Sequence, residues 1–299
     1  MAKLLLCHPL FLSQSPDEQA ANSPYFPLGL LYLAGYARQN GHEVAVFDGT
    51  FEADESAFAE RLSVEKPDVV GISAVLPLKK MALKLAQVAH DARATVILGG
   101  PDPTKSPGGY LNFPQVDLVV HHEGEQTLVS LLNLFDAGRL NPEMLKDEPG
   151  IAFRNKAGRP VTNQPRSPIE NLDTLPLPAR DLIDMERYLQ TWQETNGYSS
   201  LTISTARGCP YGCEWCRDAV HGQDFRQRSP QSVAAEMKAL KEAYQIDRLR
   251  VIDDVDGISR EWIEEWADAA ESLDAAIPFE ALNDLQRQDL PMLDVRDSL

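Results

Sequence analysis

In the front half of the chain, apolar residues fall into short continuous runs divided by stretches with helical spacing. The runs at 3–7, 43–47, 68–73, 95–98 and 117–120 predict strands. The stretches 28–39, 54–65, 79–91 and 126–135 predict helices, and in 79–91 the residues Met81, Leu85 and Val88 share one face. Asn40-Gly41, Asp48-Gly49 and Gly99-Gly100-Pro101 are the stop and turn signals between them. Strands of continuous apolar residues, each separated by a helix, imply a parallel sheet covered on both faces. Five such units predict a doubly wound α/β domain of flavodoxin-like order. In such sheets ligands bind beyond the carboxyl ends of the strands. The loops that follow Cys7, Phe47, Ser73, Leu98 and Val120 are therefore the candidate binding loops.

The pattern changes after Gly138. Prolines recur at 142, 149, 160, 165, 168, 176 and 178, and Ala157-Gly158 sits at the centre of a possible small hairpin. This stretch reads as an ordered linker, anchored by Ile169, Leu172, Leu175 and Leu177. A second strand–helix alternation begins at 201–205. Ser229-Pro230 gives an N-cap followed by proline at the first helical position. Val233, Met237, Leu240 and Tyr244 then share a helix face. A strand at 248–252, a helix capped by Ser259 and a third strand at 277–282 complete the pattern. The expected division is a domain at 1–137, a linker at 138–197 and a second α/β domain at 198–299, in keeping with about 150 residues per domain.

Charge narrows the partners. The net charge of −17 opposes a phosphate-tracking surface, so no nucleic-acid partner is expected. The apolar start of the chain is broken by His8 and Pro9 and reads as a buried strand, not a signal peptide. No run approaches the ~18 apolar residues of a membrane span. These features point to a cytoplasmic protein with no membrane partner.

The chain has four cysteines, and three of them lie within eight residues: Cys209, Cys213 and Cys216. That clustering is wrong for a disulfide framework and right for a metal site in a reducing compartment. Cys7, in an apolar strand, reads as a core residue. The C-x3-C-x2-C spacing follows a predicted strand, and thiolates are the normal ligands of iron–sulfur clusters. Three thiolates on a four-iron cubane leave one iron open, the arrangement by which a metal site takes up a small molecule. Zinc stays open on spacing alone, because His221 completes a Cys3His set.

Arg207-Gly-Cys-Pro-Tyr-Gly-Cys-Glu-Trp-Cys216 resembles the signature of the radical S-adenosylmethionine superfamily. The resemblance implies a [4Fe–4S] cluster on the three cysteines and S-adenosylmethionine on the open iron. One electron from that cluster then cleaves the sulfonium and yields a 5′-deoxyadenosyl radical. It also implies that Trp215 lies against the adenine. Val251-Ile-Asp-Asp-Val-Asp256 is similar to the second-strand motif, so Asp254 or Asp256 is expected at the amino group of S-adenosylmethionine. A solvated turn that caps the next helix is the plain alternative for these aspartates.

Asn171-Leu-Asp-Thr-Leu-Pro-Leu-Pro-Ala-Arg-Asp181 is similar to the segment before the barrel in the cobalamin-binding subfamily. Leu98-Gly-Gly-Pro-Asp-Pro-Thr104 and His122-Glu-Gly-Glu-Gln-Thr127 resemble the loops that flank the nucleotide tail of cobalamin there. The resemblance places Thr50, Ser73, Gly99, Gly100, Pro101, Glu123, Gly124 and Glu125 around that cofactor. Asp102 stands where the subfamily has histidine, and Asp48-Gly-Thr-Phe-Glu-Ala53 holds no histidine to ligate cobalt.

The implied fold of the second domain is a partial (β/α) barrel. From Leu201 there is room for about three strand–helix units at ~30 residues each. Such a barrel has an open sheet edge. Three readings follow. The first is a cobalamin-dependent radical enzyme, methyltransferase-like, with a small-molecule substrate and an electron donor such as flavodoxin or ferredoxin, its open edge covered in a homodimer. The second is a non-catalytic module that binds cobalamin or a cluster. The third is a fragment of a longer enzyme. No general acid or base can be named from the sequence.

Overall fold

The computed structural model describes residues 1–211, 220–254 and 259–281. The chain forms two compact units. One comprises Met1–Ala21, Pro27–Ile169 and Pro176–Asp184, and the other Asn22–Phe26, Glu170–Leu175 and Met185–Leu299. The proline-rich stretch 138–197 is shared between them.

The first unit runs β1 (Lys3–His8), α1 (Pro16–Ala21), α2 (Leu28–Gln39), β2 (Glu43–Asp48), α3 (Ser56–Glu65), β3 (Val69–Ser73), α4 (Lys79–Asp91), β4 (Thr95–Gly99), α5 (Pro101–Lys105), α6 (Pro107–Tyr110), β5 (Leu118–Val120), α7 (Glu125–Asp136), α8 (Pro142–Leu145), β6 (Ile151–Arg154) and β7 (Pro160–Thr162). The strand order is β2-β1-β3-β4-β5-β6-β7. Strands β1 to β5 are mutually parallel. This is the doubly wound order expected from the sequence, with its switch point between β1 and β3.

The core follows from the apolar runs. Leu5, Val70, Ile72, Val96 and Leu98 of the strands pack with Phe58 and Leu62 of α3 and with Leu85 of α4. Ala82, Ala86 and Ala89 keep α4 close to the sheet. Each leucine-sized side chain buried in this way contributes about 1.5–3 kcal/mol.

The hairpin read around Ala157-Gly158 extends this sheet. β6 runs antiparallel to β5, and β7 to β6. Asn155 Oδ1 accepts from the amides of Ala157 and Arg159 at 3.0 and 3.1 Å, which ties the turn to its own first residue. The Arg154 guanidinium donates to the carbonyls of Leu111, Phe113 and Val116 and fixes β6 to the chain ahead of β5.

The second unit contains α9 (Met185–Asn196), β8 (Ser200–Ile203), β9 (Ala206–Arg207), β10 (Arg226–Gln227), α10 (Pro230–Ala243), β11 (Arg248–Val251), α11 (Arg260–Ser272) and β12 (Phe279–Glu280). β8, β11 and β12 form a parallel sheet of order β12-β11-β8, and β9 pairs antiparallel with β10. Both expected caps are made: Ser229 Oγ accepts from Ser232 N at 3.1 Å, and Ser259 Oγ from Trp262 N at 3.3 Å. Among the described residues the third strand covers Phe279–Glu280 of the predicted 277–282, and Leu282 lies outside them. Among the described residues, no helix is long and apolar enough to cross a membrane.

Candidate functional site

In the first unit the carboxyl ends of four of the five parallel strands, β2 to β5, carry the candidate cobalamin residues. At the end of β2, Asp48 Oδ1 accepts from the amide and hydroxyl of the buried Thr50 at 3.1 and 2.7 Å. The Thr50 carbonyl in turn accepts from Leu12 N. Thr50 thus folds the loop, and its hydroxyl is engaged by Asp48.

Ser73 and Gly99 are register partners at the ends of β3 and β4. The backbone beyond them is tightly knit: Ala74 N donates to the Gly99 carbonyl at 2.8 Å and Asp102 N to the Ala74 carbonyl at 3.3 Å. Gly100 has φ +109°, and a Cβ there would lie 2.8 Å from the Ala74 oxygen. Only glycine fits such a turn without strain. Pro101 opens α5, the position where its missing N–H costs nothing.

Asp102, the departure from the family pattern, is built into the fold. Its carboxylate accepts from the Tyr110 hydroxyl and pairs with Lys79 at 3.2 Å, while Lys79 lies 4.5 Å from the centroid of the Tyr110 ring. Burial pushes the Asp102 carboxyl up, but the Tyr110 hydroxyl and the Lys79 ammonium outweigh it and hold the group below the ordinary carboxylate range. Burial and the Asp102 charge raise the Tyr110 phenol.

Beyond β5, His122 takes a left-handed conformation (φ 61°), and its amide donates to Thr104 Oγ1 at 3.0 Å. Glu123 is buried, and its Oε2 accepts from the Ile169 amide at 3.0 Å. Gly124 precedes α7, and the buried Glu125 is the first residue of that helix, where the dipole favours a carboxylate. Two polar atoms on this edge are buried with no hydrogen-bond partner: His8 Nε2 at the end of β1 and His121 Nε2 just past β5. Burial lowers the pKa of His8 against the field of Asp48. It lowers that of His121 too, with His122 adding to the effect. Neutral imidazoles with unspent nitrogens suit an edge that receives a ligand rich in amide and phosphate groups.

In the second unit the chain leaves β8 through Ser204 and Thr205, forms β9 and reaches Cys209. The returning chain forms β10. Cys209 N donates to the Gly222 carbonyl at 3.1 Å, so the outgoing and returning chains meet at this cysteine. Gly208 has φ +80°, and a Cβ on it would fall 2.4 Å from the Asp224 carbonyl oxygen. Cys209 is a half-buried free thiol. Cys213, Cys216, Trp215 and Asp256 lie outside the described residues. Asp254, at the end of β11, is exposed, whereas its neighbour Asp253 is 5% exposed and turned inward.

The arrangement defines a class: a flavodoxin-like cofactor-binding unit in the same chain as a parallel β/α unit with a cysteine loop after its first strand. A B12-binding-domain family model matches residues 19–132. The chain is 31% identical over 259 residues to an uncharacterized methyltransferase of Pyrococcus horikoshii, covering 84% of this chain and 53% of that protein. It is 29% identical over 263 residues to the anaerobic magnesium-protoporphyrin IX monomethyl ester cyclase of Rubrivivax gelatinosus, covering 86% and 46%. The structure of OxsB, a cobalamin-dependent S-adenosylmethionine radical enzyme with aqua-cobalamin and S-adenosylmethionine bound, superposes with a TM-score of 0.77 at 19% identity, over 93% of this chain and 38% of that one. Residues 19–132 thus match a B12-binding domain, and the chain shares its fold with a cobalamin-dependent S-adenosylmethionine radical enzyme. It spans about half the length of the curated relatives it matches.

Proposed function

We propose that this chain carries the cofactor-binding part of a cobalamin-dependent radical S-adenosylmethionine enzyme, one that performs methyl transfer or a related radical reaction on an unactivated carbon of a small molecule. The observation that carries the reading is the placement of Cys209. It stands at the meeting point of two chain segments, just beyond the first parallel strand of its unit, with two further thiols within eight residues. Three thiolates in one loop suit a cubane with an open iron better than a closed structural zinc site.

In this reading Cys209, Cys213 and Cys216 hold a [4Fe–4S] cluster. Trp215, Asp254 and Asp256 face S-adenosylmethionine. Thr50, Ser73, Gly99, Gly100, Pro101, Glu123, Gly124 and Glu125 shape the cobalamin cleft, Thr50 and Glu123 by fixing loops and Gly100 by its turn. When bound, the cluster supplies an electron to the sulfonium and cobalamin carries a methyl group. The protein binds, orients and shields these groups. An electron donor such as flavodoxin or ferredoxin, a cytoplasmic setting and a homodimer belong to the same proposal.

The share of its relatives that the chain spans favours a second reading: a module or fragment that binds both cofactors without completing the reaction. One experiment separates the two. The full chain is reconstituted anaerobically with iron and sulfide, then mixed with dithionite, S-adenosylmethionine and hydroxocobalamin. A [4Fe–4S]⁺ EPR signal with formation of 5′-deoxyadenosine supports the enzyme. A cluster and bound cobalamin without cleavage support the module. A chain that takes zinc in place of iron overturns both.

A further inference from the structure

The sequence pattern points to Asp254 and Asp256, but the structure singles out their neighbour. We propose that Asp253 is a positioning residue that fixes the chain leading to Cys209, and with it the first of the three cluster thiols; the inference rests on the reading of these cysteines as a cluster site. Parallel pairing of Val251 with Ile203 sets Asp253 level with the chain leaving β8. Its Oδ1 accepts from Ser204 Oγ at 2.9 Å and from Thr205 N at 2.8 Å. Its Oδ2 accepts from Thr205 N at 3.1 Å and from the Thr205 hydroxyl. A carboxylate this buried is costly unless its oxygens are filled. Here they are filled by the segment that leads to Cys209.

That segment is also held from its other side. The Thr205 carbonyl accepts from Arg228 N at 2.8 Å, and the Ser204 carbonyl from the Arg228 guanidinium at 3.0 Å. Residues 206–207 pair with 226–227, and Cys209 N meets Gly222. Thr205 is therefore held from both sides, and the short run through β9 and the Gly208 turn carries its position to Cys209. Asp253 has no part in this scheme as a ligand. It acts through Thr205, as outer partners of metal sites act through the groups they orient.

The test uses the full chain with four variants: Asp253→Ala, Asp253→Asn, Thr205→Val and Thr205→Ser. Iron and sulfide content is measured after anaerobic reconstitution, with EPR of the reduced cluster. Amide exchange over residues 204–211 is followed in the metal-free chain. Asp253→Ala and Thr205→Val are expected to weaken cluster loading about 10-fold, the lower end of outer-partner effects, and to speed exchange at 204–211 while the amides of β11 stay protected. Thr205→Ser, which keeps the hydroxyl, is expected to load like the wild type. Asp253→Asn keeps the volume but turns one acceptor into a donor, so its loading and exchange are expected between those of the wild type and Asp253→Ala. Wild-type loading and exchange in a folded Thr205→Val overturn the proposal, and so does an Asp253→Ala chain with an unchanged cluster. A wild-type chain that takes no cluster sinks the functional reading, and exchange at 204–211 that is the same in metal-free wild type, Asp253→Ala and Thr205→Val then overturns the clamp as well.

Discussion

The two units build their binding edges from different materials. In the first, the edge is made of backbone: Ala74, Gly99 and Asp102 are joined by main-chain hydrogen bonds, and the close approach at Gly100 leaves no room for a side chain. In the second, the edge is made of buried charge. Asp253 fills its oxygens from Ser204 and Thr205, and Arg228 pairs with Glu236, whose side chain is 0% exposed. A backbone edge is broken by adding atoms, whereas a charged edge is broken by removing a partner. The sharpest way to separate the two is to make each kind of change in each unit.

The largest effect is expected from Arg228→Met. It removes the buried ion-pair partner of Glu236, the donor to the Ser204 carbonyl and the bonds to Ser232. Breaking a buried pair from one side costs about 3–5 kcal/mol. Replacing both members by apolar residues, Arg228→Met with Glu236→Leu, should recover most of that loss, because no charge is left unpaired. Denaturant unfolding of the two variants measures the difference. Equal destabilisation in the single and double variants would show that the pair matters for shape and not for charge.

Next comes the backbone edge. Gly100→Ala meets the Ala74 carbonyl and a disfavoured φ, at a cost of about 1–3 kcal/mol. Gly99→Ala, one residue earlier, would meet the Val120 oxygen only at an ordinary 3.6 Å and should be nearly neutral. In the proposed function, cobalamin titration shows binding lost in Gly100→Ala.

These contrasts also explain what was legible in the sequence. The first sheet was readable because its strands are continuous apolar runs and its stops are glycines, so 28–39 and 79–91 coincide with α2 and α4. Helix α9 was not readable. Its buried residues Met185, Tyr188 and Trp192 lie at helical spacing, but the helix falls in the proline-rich stretch read as linker, and it is anchored by a bond from Trp192 Nε1 to the Pro24 carbonyl far away in sequence. At the candidate site, the cysteine spacing signalled its chemistry at once. Asp253 carried no signal, because three aspartates lie within four positions and only burial separates it from its neighbour Asp254. Asp102 read as a departure from a familiar motif, yet its partners Tyr110 and Lys79 are separated from it in the chain and their convergence is a property of the fold.

A pH experiment extends the comparison to charge in the first unit. The folded state holds the Asp102 carboxyl below its ordinary range. A group with a depressed folded pKa stabilises fully above its unfolded value and loses that contribution as pH falls through the folded one. Asp102→Asn should therefore be less stable than the wild type near neutrality, and the gap should close on acidification. Chemical denaturation at a series of pH values measures the gap, and a constant difference would mean that Tyr110 and Lys79 contribute through shape alone.

The smallest expected change lies away from both edges and serves as their control. Lys66 ends α3 in the left-handed conformation (φ 47°, ψ 55°), with its amide donating to the Leu62 carbonyl at 2.8 Å. Glycine is the residue such a helix end favours, since it has no Cβ to crowd the following carbonyl. The lysine side chain is exposed, so Lys66→Gly removes strain without removing packing. A gain of about 0.5 kcal/mol is expected, after the extra freedom of glycine in the unfolded chain is offset. Because the change touches neither edge, cluster loading and cobalamin binding should stay at wild-type levels while the unfolding midpoint rises. A change in either cofactor signal would show that stability alone modulates loading, and the effects of Arg228→Met and Gly100→Ala would then have to be measured against stability-matched controls.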